Sequence, residues 1–115
     1  MLPPPGTVLC RLAELDDPAG REFSFGRGPD ALLMFVVRKG GAVFGYVNAC
    51  PHTGGPLNWM GDRFLAPGGG EIQCATHGAR FRIEDGACLS GPCDGRALSP
   101  VAVRVDDGNI VVAER

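Results

Sequence analysis

Short apolar stretches recur along this chain, separated by glycine- and proline-rich breaks, and their spacing predicts strands rather than helices. Thr7 to Leu12 offers a first short strand. Arg21-Glu22-Phe23-Ser24-Phe25 alternates polar and apolar residues, the period of a strand with one buried face. Ala31 to Arg38 is a continuous apolar run and Ala42 to Val47 is a second, with Lys39-Gly40-Gly41 between them as a hairpin turn. Near the end, Val101 to Val105 and Ile110 to Val112 flank Asp106-Asp107-Gly108-Asn109, residues that tolerate the positive φ angles of a tight turn. The pattern predicts an all-β fold of small antiparallel sheets.

Between these β-rich ends lies a segment of another kind, approximately 48–95. It is dense in Gly, Pro, Cys and His, with short strand candidates only at Glu71 to Gln73 and Arg80 to Glu84. Loops carried on a rigid scaffold are where binding chemistry tends to sit. No repeat and no linker divides the 115 residues, so a single domain, 1–115, is expected.

Composition narrows the function classes. The 18 glycines and 10 prolines sum to 28, near a low-complexity level, but they punctuate apolar runs and so point to turns rather than disorder. The net charge of −2 is spread along the chain with no basic stripe, which argues against nucleic acid as a partner. The longest apolar run is about seven residues, whereas a membrane helix needs roughly 20. Met1-Leu2-Pro3-Pro4-Pro5-Gly6 has neither the basic start nor the apolar core of a secretory signal. A cytoplasmic location is therefore expected, where cysteines stay reduced unless they bind metal.

Two pairs of ligating residues stand out: Cys50-Pro51-His52 and Cys74-Ala75-Thr76-His77. Residues two apart in an extended stretch face the same way, and residues three apart can meet in a turn. Each loop can thus present one thiolate and one imidazole to a shared site. Both histidines of the chain fall in these pairs. Two sulfur and two nitrogen donors suit tetrahedral zinc, and equally a [2Fe–2S] cluster in which His replaces Cys on one iron. Zinc sites more often group like donors, as Cys-x-x-Cys and His-x-x-x-His, whereas here each loop mixes them.

The mixed order resembles the Rieske family, and the resemblance runs over roughly residues 7 to 113. His77-Gly78 followed by Phe81 is similar to the family's second ligand loop. Asp85-Gly86-Ala87-Cys88-Leu89-Ser90-Gly91-Pro92 is similar to its downstream turn and the Gly-Pro loop that covers the cluster. The resemblance implies a Rieske-type fold, small antiparallel sheets with a cluster-binding subdomain inserted between base strands. It implies one [2Fe–2S] cluster as cofactor, with Cys50 and Cys74 on the inner iron and His52 and His77 on the outer. Gly54, Gly55 and Gly78 are then either backbone N–H donors to cluster sulfur or ordinary turn residues.

Respiratory and photosynthetic members carry a disulfide between the two loops; the matching positions here are Gly55 and Thr76. They also carry a serine where this chain has Ala79. These departures resemble the soluble, ferredoxin-like branch and imply a potential near the low end of the Rieske range, around −150 mV rather than +300 mV. The implied role is an electron carrier, the ferredoxin component of an oxygenase-type system, fed by a flavin-containing reductase and without enzymatic activity alone. The alternatives are a small Rieske subunit of a larger, nitrite-reductase-like oxidoreductase, and a zinc-stabilised binding domain. Trp59 is read as packing over the ligand loops or as a docking anchor. Cys10 is expected to be a buried apolar residue, and Cys88 and Cys93 either reduced or paired across the Gly91-Pro92 turn.

Overall fold

The apolar run beginning at Ala31 becomes the strand around which the chain is built. The structure, a computed structural model, describes residues 3–26, 28, 31–51, 57–58, 64–75, 78–91 and 95–114. The strands in chain order are β1 (Val8–Arg11), β2 (Ala19–Phe25), β3 (Leu32–Lys39), β4 (Ala42–Val47), β5 (Glu71–Gln73), β6 (Arg80–Arg82), β7 (Cys88–Ser90), β8 (Pro100–Val101), β9 (Val103–Asp106) and β10 (Asn109–Val112). A 3-10 turn, Leu12–Glu14, follows β1. The fold is all-β, and its strands form three antiparallel sheets ordered β2-β3-β4-β8, β1-β10-β9 and β5-β6-β7.

β3 is hydrogen-bonded to β2 on one edge and β4 on the other, and its faces diverge with the two-residue period of a strand. Met34 and Val36 enter a core cluster with Cys10, Leu15, Val101 and Ile110. Phe35 and Val37 enter the other, with Tyr46, Leu57, Phe64, Ile72, Phe81 and Ile83. All four side chains are fully buried. Both faces of β3 are therefore covered, which is why its sequence is a continuous apolar run rather than an alternating one. β2 lies at the sheet edge, and Glu22 and Ser24 are exposed between half-buried Arg21, Phe23 and Phe25, as its alternation predicts.

The closing hairpin forms as expected. Asp106 pairs with Asn109, and Asp107 and Gly108 turn with φ of 51° and 76°. The run before it is divided, however. Val101 pairs with Gly45 in the four-stranded sheet, whereas Val103 pairs with Val112 in the sheet of β10. The chain changes sheets at Ala102, whose carbonyl accepts the Ala113 N–H at 2.8 Å. β7 and the 3-10 turn were not foreseen from the pattern. Arg80 to Glu84 yields only a three-residue strand, because Ile83 to Asp85 bend into the turn that leads to β7. Among the described residues no helix is long and apolar enough to cross a membrane.

Candidate metal centre

The first ligand loop leaves the end of β4. The Asn48 N–H donates to the Leu33 carbonyl at 2.8 Å, so the chain is still tied to β3 two residues before Cys50. The second loop lies between β5 and β6. The Cys74 N–H donates to the Ala79 carbonyl at 2.8 Å, and the Gly78 N–H donates to the Cys74 carbonyl at 3.0 Å. Gly78 adopts φ of 72°, and its N–H is committed to closing this turn. For Gly78 the turn role therefore holds.

One buried side chain joins the two loops. Asn48 is only 4% exposed, and its Oδ1 accepts the Leu57 N–H at 2.8 Å. The Leu57 carbonyl in turn accepts the N–H of Ala75, which follows Cys74, also at 2.8 Å. Asn48 Nδ2 donates to Asn58 Oδ1, and Asn58 Nδ2 donates to Glu22 Oε2 on β2, each at 2.8 Å. A relay thus runs from the edge of the base sheet through the first loop to the second. Buried amides are costly unless bonded, so the relay holds both loops in one arrangement. Sequence reading missed Asn48; a polar residue ending an apolar strand just before a ligand pair was the available signal.

Cys50 and Cys74 are 2% and 1% exposed, and both belong to the core cluster that contains Phe35, Ile72, Ala79 and Phe81. Two separate turns therefore bring two buried sulfurs into one apolar environment, which suits a soft-donor metal site shielded from water. His52 and His77 lie outside the described residues, as do Gly54, Gly55, Trp59, Pro92 and Cys93. Cys10, buried in the other cluster, has its thiol pushed up by burial, partly offset by the nearby Arg21 cation. Cys88 is disulfide-bonded.

The loop after β7 packs onto the second turn. Gly91 has φ of 97°, and a Cβ there would lie 2.8 Å from the Ala79 Cα, so only glycine allows this approach. Across the first loop, Arg96 Nη1 donates to the Pro51 carbonyl at 2.7 Å. Behind both turns, the Tyr46 hydroxyl donates to the Ile83 carbonyl at 2.5 Å, and burial pushes its pKa up to about 12, with Asp85 and Glu84 adding to the shift.

Comparison with known proteins gives the arrangement a context. The model of the Rieske [2Fe-2S] domain family matches residues 7–114. Among solved structures, the ferredoxin of carbazole 1,9a-dioxygenase from Nocardioides aromaticivorans IC177 is 27% identical with a TM-score of 0.72; the match covers 98% of this chain and 100% of that one. The Sphingomonas yanoikuyae B1 ferredoxin is 24% identical with a TM-score of 0.69, covering 96% and 99% of the two chains. The terminal oxygenase of carbazole 1,9a-dioxygenase from Novosphingobium sp. KA1 shares the fold at 19% identity and a TM-score of 0.70, over 96% of this chain and 31% of that one. A search of curated proteins finds no match.

Proposed function

Because the chain belongs to the Rieske [2Fe–2S] domain family and so carries one Rieske-type cluster, we propose that Cys50 and Cys74 hold one iron while His52 and His77 hold the other. The cluster supplies one-electron chemistry when bound, and the protein is an electron carrier. The observation that supports the ligand set is the pair of buried cysteines in one core cluster, on two turns linked through Asn48 and Leu57. Histidine occurs twice in the chain, once close to each of these cysteines.

The chain's own groups set how this site behaves. The apolar packing of Ile72, Ala79, Phe81 and Leu57 keeps water from the sulfurs. Ala79 supplies no hydroxyl beside the second turn, so the reduced state has one donor fewer to stabilise it. The potential belongs at the low end of the Rieske range, around −150 mV. Ala75, next to Cys74, lies in an open, largely apolar depression with Gly20, Phe64, Leu65 and Gln73, a surface on which a redox partner can approach the second turn.

Similarity to a dioxygenase ferredoxin over almost the full length of both chains supports a finer role. One structural neighbour is a complex of reduced oxygenase and oxidised ferredoxin in carbazole 1,9a-dioxygenase. By that analogy this protein is the ferredoxin component of an oxygenase-type system, working in the cytoplasm, reduced by a flavin-containing reductase and oxidised by an oxygenase.

Electron paramagnetic resonance and voltammetry of the purified protein test the reading together. The dithionite-reduced protein is expected to give the low average g of a cluster with imidazole ligands, with a midpoint below zero. Replacing His52 or His77 by Ala should abolish that signal. An iron-free protein after anaerobic reconstitution, or a signal unchanged by either replacement, overturns the ligand set.

A further inference from the structure

Arg96 is separated from Pro51 by 45 residues, yet its side chain reaches the peptide between the two proposed donors of the first loop. Its own backbone is held firmly. The Cys88 N–H donates to the Arg96 carbonyl at 3.0 Å, Ala97 bridges Ala87, and the Leu98 N–H donates to the Gly86 carbonyl at 2.9 Å. The guanidinium is therefore delivered from a strand-like segment docked on β7, and it spans to the first ligand loop as a strut.

Among the described residues no carboxylate balances the charge on this strut. Arg21, Lys39, Arg80, Arg82 and Arg104 each lie within ion-pair distance of a carboxylate, and Arg38 caps the carbonyls of Leu12 and Leu15. Among the described residues Arg96 has no carboxylate partner, only the Pro51 carbonyl at 2.7 Å. Guanidinium stays charged at every accessible pH, and a charge-assisted hydrogen bond is stronger than a neutral one. A fixed cation there lies beside the peptide that joins Cys50 to His52.

We propose that Arg96 is a positioning residue for the first ligand loop and a cation that raises the reduction potential of the cluster. The inference rests on the ligand set proposed above. Reduction adds one negative charge to the centre, and a neighbouring positive charge stabilises that state over the oxidised one. The side chain is exposed, so the effect is screened by salt. Where the missing serine of the second turn favours a lower potential, Arg96 opposes it from the first.

The test is protein-film or mediated voltammetry on the holoprotein of wild type, Arg96→Lys, Arg96→Gln and Arg96→Met, with iron content and melting temperature measured on each. At an ionic strength of about 0.01 M, where the Debye length is roughly 30 Å, the Met and Gln variants are expected to show a lower midpoint than wild type. Arg96→Lys should retain most of the wild-type value because it keeps the charge. At about 1 M salt, where screening acts over roughly 3 Å, the gap should narrow. Full iron content with a wild-type midpoint in both neutral variants overturns the proposal, as does a fall in Arg96→Lys equal to that in Arg96→Met. These failures leave the cluster and its spectrum intact, whereas failure of the ligand set appears as lost iron or as a signal indifferent to the histidines.

Discussion

β3 runs for eight residues and is paired along both edges, whereas β5, β6 and β7 run for three residues each. The long strand makes its own structure: it forms a ladder with two neighbours and buries side chains on both faces. The short strands cannot, since so few ladder bonds offset little of the entropy lost on ordering the chain. Their sheet is held instead by Ile72, Phe81 and Ile83 in a shared core, and by Phe35 of the base stacking on Phe64 with centroids 4.3 Å apart. The base sheets are a scaffold stabilised by burial. The ligand-bearing sheet leans on that scaffold and, by the reading above, on the metal it holds.

The largest test of this difference removes the contact between the two regions. Phe35→Ala deletes a fully buried ring from the face of β3 that meets Phe64 and should cost about 3–5 kcal/mol in chemical denaturation. If the ligand-bearing sheet depends on the base, hydrogen exchange in β5 and β6 should accelerate more than in β2. Equal acceleration in both would show that the two regions unfold as one unit.

A smaller effect should come from Asn48→Ala, which leaves the buried Leu57 N–H without its acceptor and breaks the link toward Ala75. About 1–3 kcal/mol is expected. Amide exchange at Leu57 and Ala75 should rise while that of β3 stays as it was. Protection unchanged at Ala75 would mean that the second turn does not rely on the relay.

The mildest probe is alkaline pH. The Tyr46 phenol is pushed from the ordinary 10 up to about 12 in the fold, first by burial and then by Asp85 and Glu84. The folded state therefore favours the neutral phenol. Its contribution is fully present below pH about 10, where the unfolded phenol ionises, and is lost as pH rises through the folded value near 12. Denaturation midpoints should decline above about pH 10 as this contribution is lost, and Tyr46→Phe should weaken that part of the decline.

How far these features were legible varies from residue to residue. The apolar runs at 31–38 and 42–47 read directly as strands, since period and length are local properties. Asp107-Gly108 declared its turn because few residues accept positive φ. The run from Val101 to Val105 read as one strand, yet it serves two sheets, because nothing in an apolar run says where its partner changes. β7 was hidden in a segment rich in turn residues. Its strand conformation comes from pairing with β6 rather than from its own propensity.

By itself, the sequence determined the candidate donor types, their division into two mixed pairs, and the strand-and-turn rhythm, because side-chain chemistry and period belong to each residue and its near neighbours. Only the tertiary structure decided that Asn48 joins the two loops through Leu57, that Gly91 lies against Ala79, and that Arg96 reaches Pro51. Those contacts link residues far apart in the chain, and burial and hydrogen-bond geometry exist only once distant segments have been brought together.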